Sequence, residues 1–269
     1  MDAVLCEKSD KLRRILTDMD GCVIGFSGGV DSTLLFAVAA GVLGEKALAV
    51  TATSKTYPER ELNEARQLAE KIGGRHLVIV SEELDIPEFR DNPRNRCYFC
   101  KKELFGKLRT IADREGLGYV LDGTNIDDAG DHRPGRTAAE ELRVRSPLEE
   151  AGFTKQDIRD LSHELGLSTW DKPAFACLSS RFPYGTAITP ERVEQVGLAE
   201  ESLRGIGFRT VRVRYHGTVA RIELGEEEFE RATGTLRDEI VRLIKMAGFT
   251  YVALDLQGYR TGAMNEEKQ

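Results

Sequence analysis

The sequence predicts an α/β protein: a doubly wound parallel sheet followed by a second, smaller α+β domain. Two observations predict this fold class. Short apolar runs alternate with helical segments as far as residue 165, and after Pro190 the order becomes helix, two strands, helix and strand. Alternating strands and helices are typical of a parallel sheet with helices on both faces. We expect one domain over residues 1–175 and the other over residues 176–269, each long enough to bury its own core.

The elements of the expected sheet follow from their residues in order. Apolar runs predict strands at residues 23–25, 48–51, 76–80 and 119–122. Apolar side chains at helical spacing, or helical segments between strands, predict helices at residues 10–19, 59–72, 101–114 and 154–165. The last helix begins with Thr154 as a candidate N-cap and Asp157 three residues later. Residues 127–136, rich in Asp, Gly and Arg, predict an exposed loop.

The second domain is predicted from a change of pattern. Residues 211–215 and 220–224 alternate in polarity and are joined by residues 216–218, as in a β-hairpin. A helix at residues 227–246 and a strand at residues 250–255 complete the expected α+β unit.

The turn between the first strand and the next helix has the sequence SGGVDS, at residues 27–32. Gly28 and Gly29 lack a Cβ, so the backbone can adopt positive φ angles and bring its N–H groups close to a ligand. Asp31 and Ser32 lie where the helix begins, and a helix N-terminus attracts anions. An ordinary capped turn is the alternative. The string resembles the PP-loop of ATP pyrophosphatases, and it is not a Walker A loop because no Gly-Lys-Ser/Thr follows.

Composition narrows the class of protein. The 269 residues carry a formal net charge of −7, which argues against non-specific binding to nucleic acid. No apolar run is long enough to span a membrane and the first residues do not resemble a signal peptide, so we expect a cytoplasmic protein with no membrane partner. Five cysteines in such a chain are better read as thiols or metal ligands than as a disulfide framework.

Cys97 and Cys100 form a Cys-x-x-Cys pair at the start of a predicted helix. Such a pair can be a redox dithiol, half of a zinc site or part of an iron–sulfur site. Zinc ordinarily takes four ligands, and the sequence has no second pair of this kind. Cys6 and Cys22 are interpreted as small buried residues.

Four motifs together identify a family. They are SGGVDS at residues 27–32, NRCYFCK at 95–101, DGTN at 122–125 and KPAFACLSSRFPYG at 172–185. In this combination the chain resembles the LarE family, which are ATP-dependent sulfur transferases that make the nickel-pincer nucleotide cofactor of lactate racemase. The resemblance runs from the SGGVDS turn to the final strand.

The resemblance implies a reaction and its cofactors. ATP, with Mg²⁺ at the PP-loop, would adenylate a carboxylate of a pyridinium dicarboxylate mononucleotide, and a sulfur nucleophile would then displace AMP. The residue matching the family's sulfur-bearing cysteine is Cys177. Members with that cysteine alone give up its sulfur, whereas members with two more can hold a 4Fe-4S cluster. Cys97, Cys100 and Cys177 therefore favour the cluster, and sacrificial transfer from Cys177 is the alternative.

The resemblance and the chemistry of the side chains indicate further candidate site residues. Asp31, Ser32 and Cys177 are the expected catalytic residues. Arg212 and Arg214 alternate on one strand, and the resemblance implies that they bind the substrate phosphate with Ser180 nearby. Lys101 and Arg181 could contact ATP or the adenylate, with surface salt bridges as the alternative. The remaining expected nucleotide-binding residues are Ser27, Gly28, Gly29, Thr51 and Gly123, and Glu200 or Glu201 could serve the site as acid, base or Mg²⁺ ligand.

Three other functions compete with this one. A PP-loop tRNA thiolase would need a basic docking surface, which the acidic chain does not favour. Amidating synthetases would need an ammonia source, and no glutaminase domain fits in this length. A nucleotide-binding iron–sulfur redox sensor would lack catalysis. The expected partners are the mononucleotide, ATP and an unidentified sulfur source, and the resemblance also implies a homo-oligomer.

Overall fold

The structure is a computed structural model that describes residues 2–128, 134–173 and 176–260. The strands in chain order are β1 (Cys22–Gly25), β2 (Ala47–Thr53), β3 (Arg75–Val80), β4 (Tyr119–Leu121), β5 (Val211–His216), β6 (Val219–Leu224) and β7 (Tyr251–Leu254). The α-helices in chain order are α1 (Ala3–Thr17), α2 (Val30–Leu43), α3 (Glu59–Ile72), α4 (Pro87–Arg90), α5 (Arg96–Glu115), α6 (Pro134–Glu141), α7 (Pro147–Ala151), α8 (Lys155–Glu164), α9 (Pro190–Gly205), α10 (Phe229–Thr233) and α11 (Arg237–Met246).

Two compact units divide the chain. The first contains Met1–Glu83 and Asn95–Phe175, and the second contains Leu84–Arg94 and Ala176–Gln269. Within the described residues, no helix is long and apolar enough to cross a membrane.

The first unit is built on a parallel sheet of order β3-β2-β1-β4. Its central strand β1 is buried on both faces: Cys22 and Ile24 lie in one hydrophobic cluster and Val23 lies in another. Residues of α1, α2, α7 and α8 fill the first cluster, and residues of α5 fill the second. The predicted fold class, a parallel sheet covered by helices on both faces, is confirmed.

The second unit contains a mixed sheet of order β5-β6-β7. β5 and β6 are antiparallel, with Val211 opposite Leu224, whereas β7 runs parallel to β6. Gly217 has φ +66° in the turn that joins the two antiparallel strands, which explains why a glycine stands in this hairpin. The predicted hairpin and smaller α+β fold are confirmed.

Two local predictions were wrong. The helix expected at residues 227–246 is broken into a 3-10 turn, α10 and α11, because Gly234 has φ −100° and ψ −104°, outside the helical region. Pro134 and the two residues after it belong to α6 and not to an exposed loop, and the rest of that predicted loop from residue 129 to 133 lies outside the described residues.

The segment Leu84–Arg94 joins the second unit through its backbone and one buried amide. Asn92 has no exposed surface, and its Nδ2 donates to the carbonyl oxygens of Pro183 at 2.8 Å and Thr186 at 3.1 Å. The N–H of Ile188 donates to the carbonyl of Arg90 at 2.8 Å. The expected domain of residues 1–175 therefore contains a segment, residues 84–94, that packs with the second unit. The sequence did not reveal this excursion, because hydrogen-bond partners some ninety residues apart leave no local sequence pattern.

Candidate active site

The turn at residues 27–32, called the PP-loop from here on, connects β1 to α2 at the carboxyl end of the sheet. Gly28 has φ +67°, and a Cβ there would lie 3.3 Å from Ala65 of α3. Gly29 instead has φ −79° and ψ 164° as the N-cap of α2, so only Gly28 uses the positive φ that glycine permits. Asp31 and Ser32 lie in the first turn of α2, where N–H groups have no partner within the helix.

The four consecutive carbonyl groups of residues 26–29 all accept hydrogen bonds from side chains. The donors are Thr51 Oγ1 to Phe26 at 2.8 Å, Tyr57 OH to Ser27 at 2.8 Å, Lys172 Nζ to Gly28 at 3.2 Å and Ser32 Oγ to Gly29 at 3.2 Å. These contacts to the loop carbonyls stabilise the conformation of the loop. The N–H groups at the start of α2 then point towards a position where an anion can bind.

Lys172 is itself held in place by acidic residues of α3. Its Nζ lies 3.0 Å from Glu61 Oε2 and 2.9 Å from Glu64 Oε2. Burial raises the pKa of Glu61, but the Arg60 and Lys172 cations outweigh it and leave that pKa below its ordinary value. A buried, ionised Glu61 therefore keeps the Lys172 ammonium beside the PP-loop.

Thr51 supports the PP-loop from the neighbouring strand β2. Its hydroxyl donates to the Phe26 carbonyl and lies 2.8 Å from His76 Nε2 on β3. Burial, with a contribution from the Arg66 charge, lowers the pKa of His76, so the neutral ring is favoured at pH 7. Thr51 was predicted to contact nucleotide, and in this structure its hydroxyl is engaged with the loop backbone.

Asp31 is bound by two side chains of the first unit. Lys155 Nζ lies 2.6 Å from Oδ1 and 2.5 Å from Oδ2, and Asn125 Nδ2 donates to Oδ1 at 3.3 Å. Lys155 is the first residue of α8, and Asn125 belongs to the DGTN turn that follows β4. The ammonium neutralises a carboxylate that would otherwise repel a polyphosphate.

The DGTN turn packs directly against the PP-loop. A Cβ on Gly123 would lie 3.1 Å from both Asp31 Cβ and Ser32 N. Asp122 holds the turn in shape by accepting from Thr124 Oγ1 at 2.8 Å and Ser146 Oγ at 2.7 Å. Gly123 is therefore the residue that lets this turn approach the start of α2, and the structure brings it together with the PP-loop as the sequence predicted.

All five cysteines are thiols, and Cys22 is the buried one among them. Cys6 is half-buried, so the expectation that it is a buried residue was wrong. Cys97 is exposed and Cys100 is half-buried, both on the first two turns of α5, and Cys177 of the second unit is exposed immediately before a 3-10 helix. Burial raises the pKa of Cys22 to about 12, which makes it an inert core residue as predicted. No group of three His, Cys, Asp or Glu side chains within residues 2–128, 134–173 and 176–260 is placed to hold a metal ion.

Lys101, the next residue of α5, packs over an aromatic ring of the same helix. Its Nζ lies 4.8 Å above the ring of Phe105, within the range of a cation–π interaction. Its predicted contact with ATP or the adenylate stays a prediction.

In the second unit, Arg181 organises the loop that carries Cys177. The guanidinium has no exposed surface: Nε donates to Glu200 Oε1 at 2.7 Å and Nη2 donates to Oε2 at 3.1 Å. Nη1 donates to the carbonyls of Ala176 and Cys177 at 2.9 and 3.2 Å and to Ser180 Oγ at 2.7 Å. Every nitrogen of Arg181 is thus engaged within its own unit.

Glu200 is the buried acid at the centre of this network. Burial raises its pKa, but Arg181 and further arginines outweigh that effect and lower the pKa to about 2. It also accepts from Arg204 Nη2 at 2.9 Å and from the N–H of Val213 at 3.0 Å. Glu201, the alternative named from the sequence, is exposed on the same helix.

The two strand arginines have different surroundings. Arg214 is buried and pairs with Glu223 through bonds of 2.9 and 2.6 Å, and its Nη1 donates to the Ser180 carbonyl at 2.9 Å. The Arg212 guanidinium lies 5.2 Å from the ring centre of Tyr259. Burial and the Arg181 charge hold the pKa of Arg212 below its ordinary value. The predicted contact of both arginines with the substrate phosphate stays a prediction.

The sequence predicted that residues 54–57, which include Tyr57, border the same crevice as the PP-loop, but it did not indicate Lys155 and Lys172 as supports of the loop. Each meets the loop from a distant part of the chain, so no spacing could have paired them. One local signal existed: Lys155 places a cation in the first turn of a helix, where acidic residues are preferred.

The fold and the PP-loop define a class, the PP-loop enzymes that use ATP. Residues 7–92, which include β1, the PP-loop, β2 and β3, match the family model described as NAD synthase. The comparison agrees with the parallel sheet and with the position of the glycine-rich turn.

Within that class, longer similarities identify the family. The chain is 41% identical over 265 residues to pyridinium-3,5-bisthiocarboxylic acid mononucleotide synthase of Lactiplantibacillus plantarum, covering 98% of this chain and 96% of that protein. It is 45% identical to an uncharacterized protein of Synechocystis sp. over 97% of this chain and 98% of that protein. An uncharacterized protein of Methanocaldococcus jannaschii is 31% identical over 89% of this chain and 90% of its own length. The chain belongs to the LarE family, and the predicted class of ATP-dependent sulfurtransferase is confirmed.

Proposed function

We propose that this protein adenylates a carboxylate of pyridinium-3,5-biscarboxylic acid mononucleotide with ATP and converts it to a thiocarboxylate. The observation that carries the proposal is the similarity to the Lactiplantibacillus plantarum synthase over 98% of the chain. The PP-loop, whose conformation is held by side-chain hydrogen bonds, also supports the proposal, because adenylation requires a site for the pyrophosphate that leaves.

The chemistry has two stages. A substrate carboxylate oxygen attacks the α-phosphorus of ATP, the bond to the β-phosphate breaks and pyrophosphate leaves. A sulfur nucleophile then attacks the activated carboxyl carbon, and AMP leaves with the electron pair of the broken C–O bond. In the proposed first stage, the helix α2 N-terminus and the PP-loop amides bind the pyrophosphate part.

Asp31 fits a role as magnesium ligand. Mg²⁺ takes oxygen ligands, and in nucleotide sites one or two carboxylates are combined with phosphate oxygens. The Asp31 carboxylate is the acidic group at the start of α2, beside the N–H groups that we propose bind phosphate. When bound there, the ion would offset the charge that develops on the phosphates.

We propose that the second unit binds the phosphate of the mononucleotide through Arg212, Arg214 and Ser180. Arg212 is half-buried on the same strand as Arg214, and burial together with the nearby Arg181 charge lowers its pKa, so this part of the second unit is rich in positive charge. Arg214 contributes by holding the Ser180 carbonyl and therefore the loop on which Ser180 lies. Arg181 acts on the same loop, so we assign it a positioning role in place of the predicted contact with ATP.

For the sulfur, we propose a 4Fe-4S cluster with Cys97, Cys100 and Cys177 as its thiolate ligands, supplied by an external sulfur source. Thiolates are the usual ligands of such clusters, and none of these three cysteines is fully buried. The pair on α5 lies in one unit and Cys177 in the other, so the support is the chemistry of the three thiols and not a distance between them.

The reaction is tested by incubating anaerobically purified protein with the mononucleotide, MgATP and sulfide. We expect mass spectrometry to find the thiocarboxylate product, with AMP and pyrophosphate formed in equal amounts. Asp31→Asn should abolish AMP formation, whereas Asp113→Asn, on the exposed side of α5, should not. AMP formation that does not depend on the mononucleotide, or that survives Asp31→Asn, would contradict the proposal.

The sulfur route is tested by iron and acid-labile sulfide content. About four irons per chain in wild type, lost in Cys97→Ala, Cys100→Ala and Cys177→Ala and retained in Cys6→Ala, would support the cluster. A protein that binds no iron after reconstitution and loses the mass of one H₂S per turnover would instead establish sacrificial transfer from Cys177.

A further inference from the structure

The hydroxyl of Thr51 lies between two polar groups at the start of the PP-loop. Its Oγ1 is 2.8 Å from the carbonyl oxygen of Phe26 and 2.8 Å from Nε2 of His76. Thr51 is 1% exposed, so water has little access to this hydroxyl and its partners must come from the protein. A hydroxyl carries one hydrogen, so it can donate to only one of the two neighbours.

The hydrogen of the Thr51 hydroxyl points to the carbonyl. A carbonyl oxygen only accepts, and two oxygen atoms 2.8 Å apart need a hydrogen between them, which Thr51 supplies. The hydroxyl therefore accepts on its other side, and Nε2 of His76 must carry the hydrogen that it receives. In the neutral ring, Nδ1 then carries none. Donation runs from His76 through Thr51 to the backbone of the loop.

The peptide group between Phe26 and Ser27 is held at both of its polar atoms. Its carbonyl accepts from Thr51 on β2, and its N–H donates to Ser32 Oγ on α2 at 3.3 Å. The His76 ring also packs edge-on against the Phe26 ring, with the ring centres 5.7 Å apart and the planes at 85°. His76 thus reaches the residue before the PP-loop by one polar and one aromatic contact.

From these contacts we propose that His76 is a positioning residue for ATP binding: its Nε2–H orients the Thr51 hydroxyl and thereby fixes the peptide group that begins the PP-loop. This rests on the proposed use of ATP at the PP-loop. His76 lies on β3, which β2 separates from β1, and it acts through Thr51 and not on the nucleotide. A loop that has to become ordered when its ligand arrives binds that ligand more weakly.

The assigned hydrogen is tested by long-range ¹H–¹⁵N spectra of wild type with ¹⁵N-labelled histidine at neutral pH. The chain has four histidines, and the signals of His76 are those that disappear in His76→Gln. We expect a protonated Nε2 and an unprotonated Nδ1. A neutral ring that carries its hydrogen on Nδ1 overturns the proposal, because Nε2 could then only accept from Thr51.

The effect on the loop is tested by isothermal titration calorimetry of ATP and AMP, each with Mg²⁺. His76→Phe keeps an aromatic ring beside Phe26 and removes the donor, whereas His76→Gln removes the ring and keeps an N–H donor. We expect His76→Phe to weaken ATP binding roughly 3- to 10-fold, as for loss of one hydrogen bond, and His76→Gln to stay within about twofold of wild type. AMP lacks the pyrophosphate part, so its affinity should change less than about twofold in both variants.

His216→Phe is the matched control, because it makes the same change at an exposed position of the second unit, and it should leave both affinities unchanged. Unchanged ATP binding in His76→Phe overturns the proposal. An equal loss for ATP and AMP, or a loss in His76→Gln as large as in His76→Phe, overturns it too, because ring packing would then be the cause.

The proposed function can fail separately. If wild type makes thiocarboxylate while His76→Phe binds ATP normally, this inference fails alone. If His76→Phe weakens ATP binding as expected and no thiocarboxylate forms in wild type, the proposed function fails and the role of His76 stands.

Discussion

Replacing the buried acid Glu200 by glutamine should destabilise the second unit by about 3 kcal/mol at pH 7. The fall of the Glu200 pKa from 4.5 to about 2 corresponds to about 3 kcal/mol in favour of the charged form in the folded protein. Glutamine removes that charge and leaves the fully buried Arg181 guanidinium without its main partner, a change that typically costs about 3–5 kcal/mol. The two figures describe the same interaction and are not added.

The pH dependence of folding stability provides a second, independent test of this prediction. The pKa of Glu200 is lower in the folded than in the unfolded chain, so its contribution is complete above about pH 5 and is lost as the pH falls from 4.5 towards 2. Wild type should therefore lose stability over that interval by taking up a proton at Glu200 on unfolding. Glu200→Gln should lack this part of the acid dependence.

Hydrogen exchange of the β5 amides, followed by mass spectrometry in increasing urea at pH 7 and at pH 3.5, measures the effect within the second unit. Glu201→Gln is the matched control, because it makes the same chemical change at an exposed position one residue along α9. Unfolding free energies for the two variants within about 0.5 kcal/mol of each other, or identical acid dependence, would refute the reasoning.

Two further substitutions test backbone features. Gly28→Ala should lower the free energy of unfolding by about 1–2 kcal/mol, because alanine is strained at a positive φ. It should also weaken ATP binding, because the added Cβ would lie 3.3 Å from Ala65 and displace the loop. Gly73→Ala shares the positive φ without any atom within 4 Å, so in calorimetry it should lose stability but keep ATP affinity. Asn92→Asp should lower the free energy of unfolding by about 3 kcal/mol or more, because a carboxylate would face the carbonyl oxygens that now accept hydrogen bonds from the amide. Its control, Asp91→Asn at an exposed site, should leave the melting temperature nearly unchanged. Equal ATP affinities for the two glycine variants, or equal melting temperatures for the last two, would show that these contacts are unimportant.

The elements of the parallel sheet were predictable because their information is local. The helix at residues 59–72 has the bounds expected, and Thr154 caps α8 with Asp157 as the pattern indicated. The break at Gly234 was missed because a single glycine inside an amphipathic run does not reveal that its backbone will leave the helical region.

The site was predictable where one segment supplies it. The residues of the PP-loop and Gly123 lie together as expected, since the carboxyl ends of β1 and β4 meet at one edge of the sheet. Lys172 could not be assigned as a support of the loop from the sequence, because its contact with the Gly28 carbonyl depends on packing between distant segments. The roles of Ser180, Arg212 and Arg214 in binding the substrate phosphate remain predictions.

The excursion of residues 84–94 also limits how this protein can be divided. The chain passes from one unit to the other after Glu83, returns after Arg94 and passes again after Phe175. A gene fragment starting at Ala176 would therefore lack Asn92, and the Pro183 and Thr186 carbonyls would lose their donor. The smaller unit is therefore not encoded by one continuous segment of the gene. A recombination event that transfers it intact must transfer two separate segments, those for residues 84–94 and 176–269.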